Sequence, residues 1–277
     1  MSSFRACWNW GVQAGLLQGP FPNRGLRYPK ADEKPPFQTW QQVECQVAQG
    51  GFSAAEVQDL WDAVFLSLAD IEAVLAWVRQ RALHEFLYPM FSFAAYTGAR
   101  RSEMLRARIT DLDLTGRTIV LHEKKRANKG RRTSRRVPLP DVLVTTLTEW
   151  LNIHHGGPQL FCHQATVRRS KKRRGEPGAL TRNEAHDDFK RTLADGPWAR
   201  LRGWHVFRHS FASNCAAKGV DQRLIDAWMG HQTEEMRRRY RHLFPDQQLQ
   251  AIRLVFGTEA TQANAAADAQ PPSASAG

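Results

Sequence analysis

The sequence is short of cysteine, short of acid relative to base, and has no long apolar run. Its four cysteines, Cys7, Cys45, Cys162 and Cys215, are scattered with no Cys-x-x-Cys pair. They suggest neither a cysteine zinc site nor a disulfide framework, and buried free thiols are the default expectation. No stretch approaches the roughly 18 apolar residues of a membrane-crossing helix, and residues 1–17 lack the uninterrupted apolar segment of a secretory signal. Both absences point to a cytoplasmic protein with no membrane partner. Acid is outnumbered by base, 27 residues against 39, for a formal net charge of +12. Such a surface favours a polyanion such as nucleic acid. An anionic membrane is the weaker reading, because no long basic amphipathic helix accompanies the charge.

What is present is enough to fold. Apolar residues make up 42% of the 277 positions, with nine tryptophans among them, sufficient for one full domain and a fragment of another. Helical spacing runs from Phe4 to Leu17 and stops at Gly19-Pro20. Residues 22–36, rich in proline and charge, read as a linker, and the main domain occupies 37–257. Within it, Ser53 with Glu56 and Thr181 with Glu184 are capping boxes that start helices. Further helices are expected over Ile71–Arg81, Glu85–Tyr96, Asp141–His154, His205–Lys218 and Asp221–Met229, of which the second, fourth and fifth end at Gly98, Gly219 and Gly230. Between them, Asp111–Leu114, Thr118–Glu123 and Arg136–Leu139 are β-rich, with a turn at Thr115-Gly116. The expected class is mostly α with a small antiparallel β-sheet, α+β. A helix starting at Thr233 carries Tyr240, another follows Pro245, and residues 258–277 have the composition of a disordered tail.

Three groups of residues carry chemistry. In Thr97-Gly98-Ala99-Arg100, an arginine follows a glycine-terminated apolar helix. A rigidly held guanidinium there offers two parallel donors to two phosphate oxygens, with Glu103 placed to orient a neighbouring donor. His205 and Arg208 are three residues apart, on one face at a helix N-terminus, where imidazole, guanidinium and helix dipole can meet one anion. His231 follows Gly230, and nine residues later Tyr240 stands in Arg238-Arg239-Tyr240-Arg241, where cations favour the phenolate of a nucleophile. Taken singly, each group has a plainer reading: a helix-terminal arginine, a solvated helix face, a capping histidine, a tyrosine at a basic surface.

Together, Thr-Gly-x-Arg100, His205-x-x-Arg208, His231 and Tyr240 resemble the tyrosine recombinase, or phage integrase, family over roughly 37–256. The twenty-six residues between the two histidines, the nine from His231 to the tyrosine, and Glu103 fit the family pattern. The resemblance implies a site-specific DNA recombinase in which the tyrosine attacks a phosphodiester, giving a 3′-phosphotyrosine and a 5′-hydroxyl, with no cofactor, ATP or metal. It implies Arg100, His205, Arg208 and His231 as stabilisers of the phosphoryl charge, and a hairpin lysine as the acid for the leaving oxygen. Counting from Ile119 selects Lys125, and counting back from Val137 selects Lys129, while Lys124 stays open. The basic runs Lys124–Arg136 and Arg168–Arg174 would contact DNA phosphates. Family members act as tetramers that exchange a C-terminal segment, a role open to Leu249, Ile252, Val255 and Phe256. The family also implies a helical core-binding domain at the front, of which residues 1–21 resemble a remnant helix. A DNA-binding remnant without catalysis and a type IB topoisomerase-like enzyme are the alternatives.

Overall fold

Four helices begin at capping boxes written in the sequence: Thr39 with Gln42, Ser53 with Glu56, Ser67 with Asp70, and Thr181 with Glu184. In each, the hydroxyl accepts the third backbone N–H and the third side chain answers to the cap's own N–H, satisfying two otherwise orphaned donors. The computed structural model describes residues 2–22, 35–123, 134–163, 180–230 and Arg239. It divides into two units, Met1–Lys34 and Pro35–Gly277.

The first unit carries α1 (Ser2–Gln13). The chain after it folds back so that the Trp8 indole N–H donates to the Gly19 carbonyl at 3.3 Å and the Phe21 ring meets Phe4 and Trp8 edge-on.

The second unit opens with β1 (Gln38–Thr39), α2 (Trp40–Gln49), α3 (Ala54–Asp62) and β2 (Val64–Phe65). Strands β1 and β2 pair in parallel, Gln38 opposite Val64. Then come α4 (Leu68–Arg81) and α5 (Leu87–Thr97). Helix α5 is apolar nearly all round, Leu-Tyr-Pro-Met-Phe-Ser-Phe-Ala-Ala-Tyr-Thr, and a helix of that kind must be central. It packs against α4 and against two later helices, Asp141–Asn152 and His205–Ala217, with Leu87, Met90, Phe91, Phe93 and Ala94 fully buried. Its Pro89 lies in the first turn, where a missing N–H costs nothing.

Short α6 (Arg101–Met104) leads to a three-stranded antiparallel sheet, β3 (Leu112–Asp113), β4 (Thr118–His122) and β5 (Ser134–Pro138), in that spatial order. Alternation in β4 buries Ile119 and Leu121 and leaves Val120 partly exposed. Helices α7 (Asp141–Asn152), α8 (Arg182–Leu193), α9 (His205–Ala217) and α10 (Gln222–Met229) complete the described unit. A mostly helical fold with a small antiparallel sheet is the class expected. No described helix is long and apolar enough to cross a membrane.

Three expectations need correction. The third strand begins at Ser134, two residues earlier than its sequence range, because Arg135 pairs with Leu121 across the sheet. Helix α2 and the β1–β2 pair were not anticipated. Nor are all thiols buried: Cys162 is, but Cys7 and Cys45 are exposed on α1 and α2, because single cysteines on the outer face of amphipathic helices follow the helix, not the residue's preference. The expected helices at Thr233 and after Pro245, and the tail, lie outside the described residues.

Candidate active site

The Thr-Gly-x-Arg segment is shaped by its first two residues. Thr97 ends α5 with its hydroxyl donating to the Phe93 carbonyl at 2.6 Å and accepting from the Ala99 N–H at 3.3 Å. Gly98 then turns left-handed, with φ of 60°, a conformation that costs a side-chain-bearing residue roughly 1–2 kcal/mol. The turn has no room either, since a Cβ on Gly98 would stand 2.9 Å from both Met229 Sδ and Phe211 Cδ1. Arg100 emerges at the entrance of α6, one-third exposed.

Glu103 holds that arginine from both ends. Its carboxylate accepts the Arg100 backbone N–H at 2.8 Å and the Arg100 guanidinium at 2.9 Å. The same carboxylate takes two further bonds from Arg135, Nη1 at 2.9 Å and Nη2 at 2.7 Å. Burial alone would raise its pKa, but the Arg135 fork and the Arg100 contacts outweigh it and hold the group at about 2. Glu103 is therefore a fixed anion that orients two arginines. Glu123, at the end of β4, adds longer ion pairs to Arg100 at 3.6 Å and Arg135 at 3.8 Å.

Arg208 joins three segments. Only 5% exposed, it donates from Nη1 to the Gly98 carbonyl at 2.8 Å and from Nη2 to the Met229 carbonyl at 2.5 Å. One guanidinium thus ties α9 to the residue before Ala99-Arg100 and to the residue before Gly230-His231. Arg135 reinforces the same corner, its Nε donating to the Trp228 carbonyl at 2.6 Å. Gly230 closes α10 with φ of 66°, and a Cβ there would lie 2.6 Å from Glu123 Oε1. Helix α9 is itself pinned to β2, since the Leu66 N–H donates to Ser210 Oγ and Asn214 Nδ2 donates to the Leu66 carbonyl.

His205 is the first residue of α9 and remains exposed. The protein packed around its ring pushes its pKa below the usual histidine value, and the cations of Arg208, Arg100 and Arg101 push the same way, opposed only by Glu103. The shift favours the neutral ring. One turn on, His209 lies edge-to-face with it, ring centroids 5.5 Å apart, and Phe37 packs on His209 at 4.4 Å. Phe37 in turn carries the Arg239 guanidinium 3.9 Å from its ring centroid, and Arg239 Nε donates to the Pro35 carbonyl at 3.1 Å. The residue preceding Tyr240 is thereby anchored in a stack that begins at His205.

Of the residues singled out in the sequence, the structure brings together Arg100, His205 and Arg208. Lys125, with Lys124 and Lys129, and His231 and Tyr240 lie outside the described residues. Arg208 is not on a solvated face, as a lone His-x-x-Arg pair would suggest, but buried. Arg135 departs from the expectation that the run Lys124–Arg136 serves DNA phosphates. Its side chain is 8% exposed and committed to Glu103. Sequence reasoning missed it, although alternation from Val137 puts Arg135 on the inner face of the strand.

A family model described as the Phage integrase family matches residues 65–247. The type 1 fimbriae regulatory protein FimB of Escherichia coli is 29% identical over 169 residues, 60% of this chain and 78% of that protein. Tyrosine recombinase XerD of Bradyrhizobium diazoefficiens is 29% identical over 205 residues, 68% of this chain but only 61% of that protein. Among solved structures, the Tn1549 transposon integrase in complex with circular intermediate DNA is similar with a TM-score of 0.54 at 17% identity, over 90% of this chain and 75% of that one. The XerH site-specific recombinase bound to its difH substrate is similar with a TM-score of 0.51 at 20% identity, over 79% of this chain and 70% of that one. At those identities the two structures speak for the fold.

Proposed function

The chain belongs to the phage integrase family, and from that premise we propose that it cuts and rejoins DNA at specific sites through a 3′-phosphotyrosine on Tyr240. The observation that carries this reading is the junction made by Arg208, whose guanidinium binds the carbonyls of Gly98 and Met229 and so gathers Arg100, His205 and the end of α10 about one point. A gathering of guanidinium and imidazole groups suits the charge that grows on phosphoryl oxygens when a phosphodiester is attacked. Glu103 fixes the Arg100 guanidinium before substrate arrives, so that little reorganisation is required at the reacting centre.

In this reading the Tyr240 phenolate forms the new P–O bond, and the P–O bond to the 5′-oxygen breaks. Lys125 supplies the proton to that oxygen, with Lys129 as the alternative. Attack by a 5′-hydroxyl on the phosphotyrosine reverses the step. Bond energy is conserved, and no cofactor is consumed. His205, neutral at rest, donates one N–H to a phosphoryl oxygen and is drawn toward its charged form as negative charge builds beside it. DNA is the partner, and the cytoplasm the compartment in which it is met. Residues 1–21 fit a helix of a core-binding domain, and 37–257 the catalytic domain. An apolar groove of about 440 Å³, lined by Leu68, Ile71, Tyr96, Leu139, Phe211 and Trp228 among others, suits the apolar residues Leu249, Ile252, Val255 and Phe256 of this chain or of a neighbour in a DNA-bound tetramer.

Trapping on a nicked suicide substrate that carries the protein's native flanking site tests the proposal. Wild type is expected to give a covalent adduct on a denaturing gel and Tyr240→Phe none, with Lys125→Ala cleaving far more slowly than Lys129→Ala. No adduct on a site that the protein demonstrably binds would overturn catalysis in favour of DNA binding alone. Relaxation of supercoils without strand exchange between two labelled duplexes would mark a topoisomerase.

A further inference from the structure

A second cluster uses none of the residues assigned to phosphoryl transfer. His84 lies between α4 and α5, His163 follows the buried Cys162, and Asp188 belongs to α8. One ligand atom from each lies within 4.8 Å of the others, and His163 Nε2 stands 3.8 Å from Asp188 Oδ2. His163 and Asp188 are buried and His84 is partly so. The two imidazoles meet edge-to-face at 4.9 Å, with the Phe86 ring stacked on His84 and edge-on to His163. The second carboxylate oxygen, Asp188 Oδ1, accepts from Arg191 Nη1 at 3.3 Å, the kind of outer contact that orients a ligating carboxylate.

Two imidazoles and a carboxylate thus converge in a largely buried site. A divalent ion would take all three as ligands at once, the imidazoles as neutral donors and the carboxylate as the anion. Two nitrogens and one oxygen are a donor set typical of zinc, with bonds of ~2.0–2.2 Å. Tetrahedral placement sets such ligand atoms ~3.4 Å apart, so the cluster would contract by at most about 1.4 Å. We propose that His84, His163 and Asp188 form a binding site for a zinc-type divalent ion, with water in the remaining position. The ion would staple two supports of the catalytic corner: α5, which starts three residues after His84 and ends at Gly98, and α8, whose Ala185 carbonyl accepts from the Trp204 indole at the mouth of α9.

The test uses the full chain, stripped with chelator and then titrated with zinc chloride at neutral pH. Wild type is expected to retain stoichiometric zinc through desalting, to gain thermal stability from it, and with cobalt to show the intense visible bands of a tetrahedral centre. His84→Gln, at the most exposed ligand, should weaken zinc binding at least tenfold and abolish the thermal shift while the metal-free melting temperature stays unchanged. Asp188→Asn provides a second variant. Equal melting with and without zinc, or equal retention by wild type and both variants, would overturn the proposal.

Discussion

Glu103 bears a full negative charge with 1% of its side chain exposed, a placement tolerable only because Arg135 grips both oxygens and Arg100 adds two bonds. Its folded pKa of about 2 lies below the ordinary 4.5. Between those values the unfolded chain binds a proton that the native state refuses, so the contribution is complete above the unfolded value and is lost as pH falls through the folded one. A shift of that size corresponds to about 3 kcal/mol. Glu103→Gln is expected to cost roughly 3–5 kcal/mol at neutral pH, because it leaves Arg135 buried without its anion, and to flatten the acid limb of the stability curve. Urea unfolding across the acid range reads both effects, and a variant with the wild-type pH slope would contradict this account. The glutamate and the first arginine were legible because they sit three residues apart across a helix start, a local relation. Arg135 was not, since its partner is thirty-two positions away and its own neighbours are a run of cations.

At the scale of the element, legibility followed the same rule. The helices expected at the Ser53 and Thr181 boxes, and those expected to close on Gly98, Gly219 and Gly230, stand where the sequence puts them, because caps are settled by a few consecutive residues. Helix α2 had such a signal, Thr39 with Gln42 ahead of Trp40, Val43 and Val47 at helical spacing. The β1–β2 pair had none, since a two-residue strand is defined only by its distant partner. The glycine turn after α5 is the element on which the site depends most. Gly98→Ala must pay roughly 1–2 kcal/mol for a left-handed alanine and displace Met229 and Phe211 as well. Moving the Gly98 carbonyl also disturbs the seat of Arg208. Loss of stability by at least that amount in thermal unfolding, with a disproportionate loss of covalent adduct at a temperature where the variant is folded, is expected. Wild-type cleavage by a folded Gly98→Ala would show that the seat is not required.

For the whole molecule, the distribution of charge matters more than its total. Residues 124–133 contain six cations and no acid, and residues 164–179 contain six cations and one acid. Those two runs hold nearly all of the +12 surplus, while the rest of the chain is close to balanced, with acids such as Glu103, Glu123 and Asp62 in ion pairs. Affinity for DNA should therefore divide into a salt-sensitive part carried by two short segments and a less sensitive part carried by the corner around Arg100 and Arg208. Each phosphate contact contributes about 0.9 to the slope of log affinity against log salt. Replacing Arg168, Arg169, Lys171, Lys172, Arg173 and Arg174 with glutamine should lower that slope by as much as about 5, weaken specific and non-specific DNA alike, and leave discrimination between them intact. Fluorescence anisotropy over a salt series measures all three. An unchanged slope would assign the phosphate contacts to other residues of the chain, and a loss confined to the specific site would mean that the run reads bases.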